Sequence, residues 1–95
     1  MKAVLAYYDK QVLLDGAIIE MKIWEAPRSV SGSTHRFKYS LFYGQNGERI
    51  VGYDNERGKG DHRHVKGEQK QYSFSTVEKL VADFLSDVRH VRGES

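Results

Sequence analysis

The chain has no cysteine, a single proline and a single tryptophan among its 95 residues. Without cysteine it cannot form disulfide bonds or thiolate metal sites. Long apolar runs are also absent: the N-terminal run at residues 3–8 ends at Asp9, which makes it too short for a secretion signal or a membrane span. We therefore expect one cytoplasmic domain over residues 1–95 that makes no membrane contact.

Positive charge is in small excess. The 15 lysines and arginines stand against 13 aspartates and glutamates, and the net charge is +2 with an isoelectric point near 8.9. This excess permits a polyanionic partner without requiring one. The charged content of 29% and the apolar content of 39% together indicate a folded domain with one modest core.

Two segments, residues 17–24 and 36–43, alternate apolar and polar residues with the period of two expected for half-buried strands. Asp15-Gly16 marks a turn before the first segment, and Asn46-Gly47 is a tight hairpin signal after the second. We expect each segment to bury one face and to expose the other. The residues assigned to the buried faces are Ile19, Met21 and Ile23, and then Phe37, Tyr39, Leu41 and Tyr43.

The C-terminal part of the chain has the period of a helix. Residues 75–78, STVE, spell a capping box in which Ser75 is the N-cap, and a short strand is expected just before it at residues 71–74. The predicted fold class is α+β: an antiparallel, strongly curved sheet of about four to six strands packed against one C-terminal amphipathic α-helix. The apolar stripe of that helix consists of Val77, Leu80, Val81, Phe84, Leu85 and Val88.

A highly polar stretch, YDNERGKGDHRH at residues 53–64, lies between the predicted sheet and the helix and is expected to form a charged loop. Arg57, Lys59 and Arg63 occur there beside glycines, which allow a backbone to approach a phosphate closely. We predict that these three cations bind phosphate or RNA. The spacing does not match a P-loop, which disfavours nucleotide hydrolysis of that type.

The same stretch contains His62 and His64, whose side chains point to the same side of an extended backbone because they are two residues apart. Histidine exchanges protons near neutral pH, so the pair suits metal-independent RNA cleavage with one base and one acid. Asp54, Glu56 or Asp61 is then available to orient an imidazole or to act as a base. The predicted catalytic residues are His62, His64, Asp54 and Glu56, and no cofactor is expected.

Other interpretations of these residues stay open. The two histidines with Asp61 also suit a divalent metal, with Asp54 or Glu56 completing its shell. The stretch is otherwise a solvated loop whose charges pair internally, or a non-catalytic surface that docks on RNA or on a protein. His35, which opens a strand, and His90, which lies near the C-terminal end of the helix dipole, need no functional explanation.

Two large aromatic residues fall on the polar faces of their predicted strands. Trp24 and Phe42, together with Arg36 and Lys38, suit base stacking beside a basic surface. Such residues also pack under loops or against partner chains, and that interpretation stays open beside the first.

The run GYDNERGKGDHRH at residues 52–64, with KYSLFYG before it and YSFSTVEKLVADFLSDV after it, resembles the TumE family of small prokaryotic toxin-like proteins over nearly the whole chain. The resemblance implies the toxin of a type II toxin–antitoxin module, neutralised by a helix-turn-helix antitoxin. Many toxins of this size cleave RNA or block translation, so RNA is the expected target by analogy of class. The motif positions are Asp54, Asn55, Glu56, Arg57, Lys59, Asp61, His62, Arg63 and His64.

An apolar strand at the edge of the sheet, such as the one holding Trp24, is expected to need a partner. Unpaired backbone groups at such an edge pair readily with another chain. A second copy of this chain or a segment of the antitoxin is the expected partner.

Overall fold

Six antiparallel strands and one helix form the computed structural model, which describes residues 3–28, 35–55 and 60–94. The strands lie side by side in chain order, and the sheet does not close. The strand that holds Trp24 is paired on both sides, so the expectation that it lies at an edge is wrong. The predicted α+β class is confirmed. The elements are β1 (Val4–Val12), β2 (Ile18–Glu25), β3 (Phe37–Gln45), β4 (Glu48–Asp54), β5 (His62–Val65), β6 (Glu68–Gln71) and α1 (Val77–Val91).

Turn residues explain the tight hairpins. Asn46 and Gly47, between β3 and β4, have φ of 55° and 76°, and two positive values are what a type I′ hairpin turn requires. Lys66 and Gly67 connect β5 to β6 in the same way, with φ of 50° and 84°. The first of these turns was predicted from its Asn-Gly pair, whereas the Lys-Gly signal of the second was overlooked.

The helix covers one face of the sheet and forms the core with it. The predicted stripe is confirmed, since Leu80, Phe84 and Val88 are buried and the Phe84 ring packs edge-on against Tyr53. Tyr53 also donates a hydrogen bond to Asp87 of the helix at 2.5 Å. The predicted buried faces of β2 and β3 are confirmed as well: Ile19, Met21, Ile23, Tyr39, Leu41 and Tyr43 are buried, and Phe37 is partly buried.

The helix begins at a different cap from the one predicted. Thr76 rather than Ser75 is the N-cap, because its Oγ1 accepts a hydrogen bond from the Lys79 backbone N–H at 3.0 Å. With this cap the third helical position is Lys79, so Glu78 cannot complete a capping box. Glu78 still lies in the first turn, where the helix dipole favours a carboxylate.

The polar stretch is not the simple loop that its composition predicted. Tyr53 and Asp54 end β4, residues 62–64 begin β5, and the last strand is residues 68–71 instead of 71–74. The pairing of β5 with both β4 and β6 satisfies the backbone of these residues, and this overrides their weak strand propensity. Polar side chains are tolerated here because one face of the sheet is not covered by the helix.

We call this second face the open face. In the register of β2 to β5, Lys22 lies opposite Ser40, Ser40 opposite Asp54, and Asp54 opposite His62. Since facing residues of paired strands share a face, these residues all lie opposite to the core. The helix in the described part of the chain is neither long nor apolar enough to cross a membrane.

Candidate active site on the open face

Three predicted site residues converge on the open face, at the end of β4 and the start of β5. Asp54 is paired directly with His62, and His64 lies two residues further along the same strand. The nearest nitrogen and oxygen atoms of the three side chains lie within 4.8 Å of one another. The two imidazole rings meet edge to face, with centroids 5.2 Å apart. Strand pairing therefore confirms that the two histidines point to the same side.

His62 is held between two oxygen atoms. Its Nε2 lies 2.5 Å from Asp54 Oδ1, and its Nδ1 lies 3.3 Å from the Gly60 carbonyl. An oxygen atom therefore lies beside each of the two ring nitrogens. The short contact with Asp54 Oδ1 does not have standard hydrogen-bond geometry, and this buried oxygen accepts no hydrogen bond within the described ranges. The contact is a close charge pair whenever His62 carries its proton.

Arg49 joins the cluster because of a bulge and a glycine. The pairing of β3 with β4 slips by one residue after Tyr43, so that Arg49 lies opposite Gly44 and shares the open face. Its side chain then crosses Gly52, where a Cβ atom would come within 2.6 Å of Arg49 Cδ. The guanidinium ends 3.9 Å from Asp54 Oδ2. Sequence reasoning missed Arg49, although a glycine inside a strand was a usable signal of close approach.

The surroundings of His64 favour its neutral form. Partial burial lowers the pKa of His64 below the ordinary 6.5, and the positive charges of Arg49 and His62 lower it further. The carboxylate of Asp54 opposes this shift. A neutral imidazole beside His62 is a proton acceptor near neutral pH.

Comparison with known families agrees with the sequence signature. The family model described as Toxin TumE matches residues 4–92. The chain belongs to the TumE family. No curated protein and no solved structure matches it. Membership of a toxin family is consistent with a toxin role and suggests an antitoxin as a partner.

Asn55, which follows Asp54 in the TumE signature, has a structural position. Its side chain is only 1% exposed. Its Oδ1 accepts a hydrogen bond from the Tyr39 N–H at 2.9 Å, and its Nδ2 donates one to the Phe37 carbonyl at 2.6 Å. The amide thereby continues the pairing of β4 with β3 beyond the end of the strand, and it fixes the backbone next to Asp54.

Asp61 belongs to a different cluster from the histidine pair. Its Oδ2 lies 2.6 Å from His35 Nε2 and accepts a hydrogen bond from the Tyr39 hydroxyl at 2.8 Å. His35 Nδ1 accepts from the Phe37 N–H, so Nε2 carries the ring proton toward Asp61. The His35 ring also stacks on Phe74 at 3.9 Å between centroids. The sequence did not predict these contacts of His35, because a partner 26 residues away leaves no signal in the sequence.

Arg63 lies on the helix side of the sheet. It faces Tyr53 across the β4–β5 pairing, and its Nε lies 3.8 Å from Asp87. It lines a groove that also contains Lys66, Lys70 and His90. Arg63 therefore does not share a surface with His62 and His64, and its predicted phosphate-binding role stays a prediction. Glu56, Arg57 and Lys59 of the predicted site lie outside the described residues.

Proposed function

We propose that this TumE-family chain is the toxin of a type II toxin–antitoxin module and that it acts by cleaving RNA. The observation that carries the proposal is the open-face cluster, in which His62 contacts Asp54 and lies beside His64. It supplies a proton donor and a proton acceptor within reach of one phosphodiester. Family membership supports the toxin role, and the cluster supports the chemistry.

The proposed reaction is an internal transfer at phosphorus. Neutral His64 takes the proton of a ribose 2′-hydroxyl, and the 2′-oxygen attacks the adjacent phosphorus. The bond from phosphorus to the 5′-oxygen breaks, and protonated His62 gives its proton to that oxygen. The products are a 2′,3′-cyclic phosphate and a free 5′-hydroxyl, so no metal or cofactor is needed to balance the step.

The remaining groups of the cluster have supporting roles in this proposal. Asp54 holds His62 in its orientation and stabilises its positive charge. Arg49 places a permanent positive charge beside the cluster, where charge develops on the phosphoryl oxygens. Glu56, Arg57 and Lys59 lie within four residues after Asn55 in the sequence, and we retain Glu56 as a further carboxylate of the site and Arg57 and Lys59 as its phosphate-binding cations.

The first test compares histidine variants of the purified protein. We expect His62→Ala and His64→Ala each to lower the rate of RNA cleavage by about 10²- to 10⁴-fold, the usual contribution of a general acid or base. His90→Ala is the matched control, because His90 is exposed near the end of α1 and should leave cleavage unchanged. Full activity in both site variants would remove the catalytic assignment. If the wild type cleaves no RNA, a non-catalytic binding module takes its place.

One observation also favours a metal-dependent mechanism as a second candidate. Two imidazoles and a carboxylate within 4.8 Å are a common ligand set for Zn²⁺ and similar ions, and Asp54 Oδ1 has no standard hydrogen-bond donor among the described residues. A bound ion would activate water for hydrolysis instead of using the ribose 2′-hydroxyl. Under this candidate a chelator abolishes cleavage and added metal restores it. Cleavage that persists in chelator contradicts it.

For the antitoxin we propose a helix-turn-helix protein that adds a strand to β1, which is an edge strand in the described part of the chain. β1 has nine residues, and Val4 and Val12 are 70% and 68% exposed. The opposite edge strand, β6, has four exposed polar residues, as is typical of edges that avoid pairing. This contrast favours β1 as the place where a partner strand docks. A second copy of the chain is the competing occupant.

A further inference from the structure

We propose that the open face is a binding platform for single-stranded RNA, with bases stacking on Phe42 and Trp24 and phosphates pairing with Lys22 and Lys38. The choice of RNA as the ligand rests on the proposed function. The geometry of the platform comes from strand pairing alone and does not require that the chain cleave what it binds.

The platform leads away from the candidate active site across neighbouring strands. One row of facing residues runs from His64 through Gly52 to Phe42. Since paired strands lie about 4.8 Å apart, Phe42 is roughly 10 Å from His64 along this row. A parallel row runs from His62 through Asp54 and Ser40 to Lys22, which is roughly 14 Å from His62. A single strand that enters the site has a continuous surface to follow.

The aromatic members of the platform are available for stacking. Trp24 is 37% exposed and lies directly opposite Lys38, which is also exposed. The half-buried ring of Phe42 lies against Gly44, where a Cβ atom would meet its Cζ at 2.5 Å. The glycine lets this ring lie down on the sheet instead of standing beside a neighbouring side chain.

The charge on this face suits a nucleic acid backbone. Lys22, Lys38 and Arg49 supply permanent positive charges. Glu20 and Asp54 are acids on the same face: the Glu20 carboxylate accepts a hydrogen bond from the Tyr8 hydroxyl at 3.0 Å and lies 4.0 Å from Lys22, and the Asp54 carboxylate lies beside His62 and Arg49. Both acids are engaged by neighbouring groups, and the phosphates of a bound strand meet mainly cations.

The platform selects single strands over duplexes. Paired bases in an A-form helix are stacked on each other and cannot stack on protein side chains. Unpaired bases stack on aromatic rings without sequence preference, and each such contact contributes a measurable part of affinity. We therefore expect the substrate class to be unpaired RNA, such as linkers and loops.

The only tryptophan of the chain is Trp24, so intrinsic fluorescence reports on the platform directly. The His64→Ala protein, which keeps the RNA intact, is titrated with single-stranded oligouridylate and with a blunt RNA duplex of equal length. We expect the single strand to quench Trp24 and to bind at least about tenfold more tightly than the duplex. Equal affinity for both, or binding without quenching, overturns the platform.

Matched lysine variants test the phosphate contacts by anisotropy of labelled oligouridylate. Lys38→Ala should weaken binding and reduce the slope of log affinity against log salt by about 0.7, the value for one phosphate contact on a single strand. Lys70→Ala, on the other side of the sheet, is the control that should change neither quantity. Trp24→Leu should weaken binding by roughly 5- to 150-fold, and Trp24→Tyr should restore most of it. Equal effects of Lys38→Ala and Lys70→Ala contradict the platform.

The two proposals fail in different ways. If wild-type protein binds and quenches but never cleaves, the catalytic proposal fails and the platform stands. If it cleaves RNA at a rate that is unaffected by Lys38→Ala and Trp24→Leu, the platform fails and the catalytic proposal stands.

Discussion

The position of the Arg49 side chain depends on the absence of a Cβ atom at Gly52, and two substitutions test this dependence. Arg49→Ala should lower RNA cleavage by about 10- to 100-fold, because it removes a positive charge beside the reacting phosphate. Gly52→Ala should have a similar effect. The new Cβ atom would lie 2.6 Å from the present position of Arg49 Cδ, so the Arg49 side chain would have to move away. The double variant should be no slower than Arg49→Ala alone, because both changes remove the same interaction. Independent, multiplicative losses would show that Gly52 has another role.

The pH dependence of cleavage follows from the surroundings of His64. Among the described residues, the charged or titratable groups that act on its ring are Arg49 and Asp54 of β4 and His62 of its own strand, and Gln69 is its neutral partner on β6. His64 must be neutral to accept a proton, so activity falls as pH drops through its pKa. Because that pKa is lowered, we expect the acidic limb of the profile of kcat/KM to lie below pH 6.5.

The Arg49→Ala variant supplies the control for this pH profile. Removing the arginine charge removes one cause of the lowered pKa, so the acidic limb should move upward toward 6.5. Lys70→Ala, which removes a positive charge on the opposite face, should leave the limb in place. A limb above 6.5 in the wild type, or one that does not move in Arg49→Ala, contradicts the assignment of His64 as the base.

Asn55 is expected to matter for stability more directly than for chemistry. Asn55→Ala leaves the Tyr39 N–H and the Phe37 carbonyl without their partners, which should lower the free energy of unfolding by about 1–3 kcal/mol. Asn55→Asp keeps an acceptor for the Tyr39 N–H but buries a carboxylate that faces the Phe37 carbonyl oxygen, so we expect at least as large a loss. Urea denaturation of the three proteins measures both values. An Asn55→Ala protein as stable as the wild type would refute the structural role.

At the scale of elements, the two edges of the sheet differ in a way that predicts where a partner binds. Val12→Lys places a charge on the exposed β1, and it should weaken antitoxin binding by at least about tenfold without changing RNA cleavage. Gln71→Lys on β6 is the matched control, since it adds the same charge to the other edge. Pull-down of purified antitoxin and rescue of growth on co-expression measure the effect. Equal binding by both variants contradicts docking at β1, and loss of self-association in Val12→Lys assigns the edge to a second copy.

The elements also show which signals the sequence carries. Strands β2 and β3 and the stripe of α1 were predicted because their periodicity is local and the core lies on one side of each. Strand β5 was missed because its residues are polar, and its extended backbone depends on pairing with β4 and β6. Tertiary context thus decided the structure where local propensity was weak.

At the scale of the whole molecule, the two sides of the sheet contain different kinds of residues. The helix-covered side contains the core and the tyrosine–aspartate contacts, including the one between Tyr53 and Asp87. The open side brings Asp54, His62 and His64 together. The spacing of two in the signature correctly predicted that the two histidines share a side, and the same alternation puts Arg63 on the helix side of β5. The contribution of Arg49 depends on a bulge that only the folded sheet specifies.

Analysis of the ends left by RNA cleavage tests the central claim most directly. Purified protein is incubated with single-stranded RNA in the presence of a chelator, and the termini of the products are identified. Our account predicts 2′,3′-cyclic phosphate and 5′-hydroxyl ends, and no cleavage where the nucleotide before the scissile bond lacks its 2′-hydroxyl. Products with 5′-phosphate ends, or cleavage that requires a metal, would contradict proton transfer by His62 and His64.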